Sequence, residues 1–135
     1  MRGISFILLV LILSPSWAGA QRLEKKEGMA FVNIAPGELE NEEIKKLPVK
    51  ISFVSESGIP YAGVYVRVFN ASGIAVFKHL CEKPWLFLRL PAGEYHVVGV
   101  DRGKVTRLKY FKVRGGEGAA QTRVTLKWPQ SVVGY

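Results

Sequence analysis

Cysteine is almost missing from this 135-residue chain, which carries Cys81 alone. An intramolecular disulfide is thereby excluded, and stability has to come from an apolar core. Aspartate is equally scarce, with Asp101 the single example, and histidine occurs only as His79 and His96. After the initiator, Met29 is the only methionine. No apolar run reaches the roughly 20 residues that cross a bilayer as a helix. These shortages leave little material for metal clusters or paired-carboxylate catalysis.

What is present begins with "MRGISFILLVLILSPSWAGAQ". One arginine, an apolar stretch from Ile4 to Leu13 and the small residues Ala18, Gly19 and Ala20 have the order of a secretory signal peptide cleaved before Gln21. No cysteine follows that point to carry a lipid anchor. The expected mature chain, residues 21–135, is soluble and periplasmic or secreted. It is long enough for one domain.

Formal charge is +8, and it is unevenly spread. Residues 21–60 hold six basic and seven acidic groups, whereas residues 85–135 hold nine basic against three acidic. A basic C-terminal half fits an anionic neighbour, and export argues against nucleic acid.

Residues 21–47 read as an N-terminal linker and one short helix, "GELENEEIKKLP", with glutamates at its start and lysines at its end. That polarity matches the helix dipole, and Pro48 stops the element. From Val49 onward the period becomes two. Strands are predicted over "VKISFV", "AGVYVRVFN", "IAVFKHLC", "WLFLRL", "EYHVVGV", "VTRLKYFKV" and "TRVTLKW", with turns such as "NASG" and "DRGK" between them. Val64, Val66 and Val68, and Leu86, Leu88 and Leu90, are expected inward. Leu108 and Tyr110 fall out of phase with Val105, Phe111 and Val113, and a bulge near Lys109 would reconcile them. The expected fold is all-β: a seven-stranded antiparallel Greek-key sandwich over residues 48–129, preceded by the short helix and followed by a tail, residues 130–135.

In "KPWLFLRLPAGEYHVVGV", residues 83–100, Pro91 and Gly93 make a tight strand connection, and the Tyr95 hydroxyl needs a backbone partner. With Gly58, Pro60, Val64, Val66 and Gly73 upstream, and Phe87, Leu90, Pro91, Gly93, Tyr95 and Val97 here, the chain resembles the carboxypeptidase regulatory-like domains, which are transthyretin-like β-sandwiches. Pro84-Trp85 and the Arg123–Trp128 strand are similar to those of small exported Gram-negative proteins carrying this domain alone. The resemblance covers roughly residues 37–129 and implies an accessory or binding module.

Some transthyretin-like proteins hydrolyse 5-hydroxyisourate with paired histidines, an arginine and a C-terminal Tyr-Arg-Gly-Ser motif. This chain ends "SVVGY" and lacks that motif. His79 and Cys81 share a strand face and His96 could approach them, but the ligand supply is thin, so no metal or other cofactor is expected. No "G-x-S-x-G" is present, Asp101 has a local turn role, and no catalytic set is predicted.

A surface remains. With the leucines inward, Trp85, Phe87 and Arg89 face outward, joined by Arg67 and Phe69 and by Arg123 and Lys127 on the last strand. Aromatics interleaved with cations suit contact with an envelope protein or glycan, an anionic one included. The competing reading has the linker or helix packing over that face, because Met29, Phe31, Val32 and Ile34 need cover. The sequence therefore predicts a non-enzymatic periplasmic binding or assembly module. The alternative is a periplasmic small-ligand or metal-carrying protein.

Overall fold

The computed structural model describes residues 24–26, 29–38, 42–116 and 118–129. The expected leader and the C-terminal tail lie outside the described residues. Two sheets face each other. One has the strands β1 (Glu24–Lys26), β2 (Met29–Ile34), β3 (Val49–Ser55), β6 (Trp85–Leu88) and β9 (Thr122–Trp128), in the order β9-β3-β6-β2-β1. The other has β4 (Val64–Asn70), β5 (Ala75–Cys81), β7 (Gly93–Val100) and β8 (Thr106–Val113), in the order β5-β4-β7-β8.

All seven expected strands form, and two more appear in the stretch read as linker. The reason is register: Phe31 lies opposite Leu88 and Ile34 opposite Trp85, so β2 supplies the ladder partners that β6 would otherwise lack. The expectation of a wholly antiparallel sandwich is also corrected, since β9 runs parallel to β3 from Thr122 opposite Val49 to Trp128 opposite Ser55. The helix is shorter than expected. Among the described residues it is the single turn α1 (Glu42–Lys45), with Glu42 and Glu43 leading and Lys45 ending it.

Alternation puts Val49, Ile51, Phe53, Leu86, Leu88, Val124, Leu126 and Trp128 from the first sheet against Val64, Val66, Val68, Phe77, Tyr95 and Val97 from the second. Gly99 makes room for this layer. A methyl group there would stand 3.0 Å from Val64 Cγ1 and 3.1 Å from both Leu126 and Trp128. The Trp128 indole donates to the Val105 carbonyl at 2.8 Å and stacks on Tyr61 at 5.5 Å. Tyr61 in turn donates to Asp101 at 2.7 Å, whose other oxygen accepts the Val105 amide at 2.8 Å. Asp101 is thus committed to holding the β7–β8 turn. The Tyr95 hydroxyl donates to the Pro91 carbonyl at 2.7 Å, closing the Pro-Ala-Gly connection as the sequence predicts.

The bulge expected near Lys109 does not exist. β7 and β8 stay in uninterrupted register from Gly93 opposite Val113 to Val100 opposite Thr106, and the register shift lies instead between Val68 and Phe69 where β4 meets β5. β8 has no bulge because its core-side positions near β9 are served by long polar stems. Arg107 donates to the Lys127 carbonyl at 2.7 Å and Lys109 to the Thr125 carbonyl at 3.5 Å. Thr122 donates back to the Lys112 carbonyl at 3.0 Å. These bonds cover the outer edge of β9, which would otherwise present unpaired carbonyls.

Candidate functional site

The outer face of the five-stranded sheet is half closed. Val32, Ile34, Phe87, Ile44 and Leu47 form a second buried cluster, with Trp85 packed partly buried against it. Phe87, expected on the surface, is only 1% exposed. Its cover comes from α1 and the residues just after it, which place Ile44 and Leu47 over the sheet. β2 does not lie across the face as a linker would; it extends the sheet edgewise and adds Val32 and Ile34 to the same apolar layer.

Side chains of this region are pinned by polar contacts. The Asn33 amide donates to the carbonyls of Lys83 and Trp85 at 2.9 and 2.7 Å, and its oxygen accepts the Lys83 amide at 3.1 Å. Glu38 accepts the Ala35 amide at 2.7 Å and pairs with Lys83 at 3.1 Å. The Ala35 hydrogen bond first, and Lys83 second, hold the Glu38 carboxyl below its ordinary value. Lys50 stands 3.7 Å above the Trp85 ring.

The seven residues expected to share a binding surface therefore do not. Trp85, Phe87, Arg89, Arg123 and Lys127 belong to the five-stranded sheet or its continuation, with Arg89 exposed past the end of β6 and Arg123 and Lys127 exposed on β9. Arg67 and Phe69 lie on β4, in the other sheet. Alternation turns them away from the core, so they belong to a separate outer face.

That second outer face has no cover among the described residues. Its register gives three rows across β5, β4, β7 and β8. Leu80, Tyr65, Val100 and Thr106 form the first row, and Lys78, Arg67, Val98 and Leu108 the second. Ala75, Phe69, His96 and Tyr110 form the third. Tyr110 is 74% exposed, Leu80 and Leu108 are each 49% exposed and Tyr65 is 41% exposed. Phe69 stacks on His96 with centroids 4.8 Å apart, and His96 meets Tyr110 at 5.1 Å. The Arg67 guanidinium lies 5.6 Å from the Phe69 ring. A shallow hollow of about 270 Å³ borders the ring row, with Asn70, Glu94, His96 and Tyr110 on its walls. A second hollow, of about 370 Å³, lies between Tyr65, Leu80 and Arg102 at the other end of the face.

Chemically, this face offers contact area, ring stacking and a basic rim. Cys81 is fully buried, and burial pushes its thiol well above the ordinary range, so it is neither ionised nor accessible. Among the described residues, no three His, Cys, Asp or Glu side chains gather to hold a metal. The signal for the face was in the sequence. Leu108 and Tyr110 sat out of phase because they point outward, into the same layer as Tyr65 and Phe69.

No protein-family model matches the chain, and no curated protein matches it.

Proposed function

We propose that this protein is a non-enzymatic, exported docking module that holds an acidic envelope protein against the outer face of its four-stranded sheet. The observation that carries the reading is the uncovered layer of Leu80, Tyr65, Leu108 and Tyr110. Soluble monomers rarely leave large apolar side chains contiguous on one face unless something covers them. Tyrosine and arginine, the residues best suited to anchor a protein contact, are both present. Aliphatic Leu80 and Leu108 favour a protein over a sugar, which is recognised by flat rings flanked by polar groups. Arg67 and Lys78 lie on the three rows of the face, which hold no carboxylate, Arg102 borders one end, and beyond the third row Glu94 stands opposite Lys112, so an acidic partner is favoured.

The resemblance to carboxypeptidase regulatory-like domains supports the same reading, since those domains serve as accessory modules. Their transthyretin-like Greek-key arrangement is the finer fold assignment proposed here, and the leader at residues 1–20 is the basis for proposing the periplasm. The test compares material recovered from envelope extracts by the wild type, a Leu80→Ser/Leu108→Ser/Tyr110→Ser variant and an Arg123→Ser/Lys127→Ser variant. A partner lost only by the first variant is expected. Equal recovery by all three contradicts the assignment of the face, and recovery of polysaccharide in place of protein contradicts the partner class.

A further inference from the structure

A wide hollow lies away from that face, at the end of the sandwich where β3 and β9 begin and β6 and β8 finish. It measures about 710 Å³, and its walls carry Lys45, Lys46, Arg89 and Arg114. No carboxylate among the described residues lines it; Glu117, between the lining residues Gly116 and Gly118, lies outside the described residues. Lys45 has an exposed neighbour, Glu42, at 4.0 Å, and among the described residues Lys46, Arg89 and Arg114 form no ion pair.

The fold holds these four cations around one space. Gln121 donates to the carbonyls of Lys45 and Leu47 at 3.3 and 2.9 Å, and the Thr122 amide donates to the Pro48 carbonyl at 2.7 Å. The lysine pair is thus tied to the start of β9. Val113 pairs with Gly93, which sets Arg114 at the foot of the Pro-Ala-Gly connection, and Arg89 stands at the opposite foot. A methyl on Gly115 would come 3.0 Å from the Ala92 Cβ, so the loop after β8 is pressed against that connection. Like charges gathered by tertiary contacts repel one another, and a multiply charged anion seated among them relieves that repulsion.

We propose that this hollow is an anion site for a diphosphate-type group, whether on a free phosphorylated compound or on a phosphorylated headgroup at a membrane surface. Two arginines provide planar forks that match phosphate oxygens two at a time, and the lysines add point charges. The volume exceeds that of one phosphate and leaves room for a second. The site is independent of the docking face and shares no residue with it.

The test titrates the full mature chain with inorganic pyrophosphate and follows binding by calorimetry. Saturable one-to-one binding is expected, weakened at least tenfold in Arg89→Gln/Arg114→Gln. Arg123→Gln/Lys127→Gln removes the same charge from β9 and is expected to change the affinity less than twofold. All four side chains are exposed, and an unchanged melting temperature confirms that each variant is folded. Co-sedimentation with phosphatidylcholine vesicles carrying a lipid diphosphate, set against vesicles of phosphatidylcholine alone, separates the two sources. Binding to the former that pyrophosphate displaces points to a headgroup, while pyrophosphate binding without vesicle binding points to a free compound. Absence of binding by the wild type at millimolar pyrophosphate overturns the proposal. So does an equal loss in both double variants, which would reduce the effect to net charge.

Discussion

Gly99 illustrates a constraint that becomes visible only at the scale of single atoms. Its neighbours Val64, Leu126 and Trp128 come from β4 and β9, far away in the chain, so nothing local in "EYHVVGV" marks it as special. Gly99→Ala is expected to destabilise the protein by about 1–3 kcal/mol in urea unfolding, the usual cost of forcing a methyl into a filled core. Tyr95 is the opposite case. Its need for a backbone partner was legible from a large ring next to a turn, and Tyr95→Phe should cost about 1 kcal/mol through the lost bond to Pro91. Cys81 should ignore a thiol reagent in the native protein and react fully in denaturant, because burial both hides the thiol and keeps it protonated. Glu38 provides a pH dependence. Its folded pKa lies below the ordinary 4.5, so the stability it contributes is complete above that value and is lost as pH falls through the folded pKa. A carboxyl titration by NMR should show Glu38 ionising below its ordinary value, and Lys83→Met should move it part of the way back.

At the scale of elements, period-two alternation found every strand from Val49 onward, and with them the inward rows of valines and leucines. It did not find β2. "MAFVNI" shows no clean alternation because both of its faces are covered, Phe31 by the core between the sheets and Val32 and Ile34 by the layer under α1. The same double coverage explains Phe87. The reading that the linker or helix packs over this face is the one the structure supports for Phe87, with Ile44 and Leu47 as its cover. Phe87→Ala should therefore cost about 3–5 kcal/mol, as for a core aromatic, whereas Tyr110→Ala should stay within about 0.5 kcal/mol. Chemical denaturation of the two variants side by side separates a structural aromatic from a surface one. Leu108 and Tyr110 carry the clue to the open face, since their phase opposes that of Val105, Phe111 and Val113. The remedy of a bulge failed because β8 can point Arg107 and Lys109 toward β9, where the β9 carbonyls receive them.

Considered whole, the molecule treats its two outer faces differently. The five-stranded sheet spends α1 and the segment after it on cover, while the four-stranded sheet leaves a ring row and two leucines open. That asymmetry, together with the excess of cations in the C-terminal half, is what makes a docking role the best-supported reading. The composition pointed to the basic half but not to the face, because Arg67 and Phe69 read as companions of Trp85 until the sheet order separated them. The most direct measurement is site-specific photo-crosslinking in cells, with the reactive group placed at Tyr110, at Leu80 and, on the opposite sheet, at Thr125. One discrete protein adduct is predicted from both Tyr110 and Leu80, absent from Thr125 and abolished by Leu108→Asp without a change in melting temperature. Adducts of equal yield from Thr125, or none from the four-stranded face, would contradict the account.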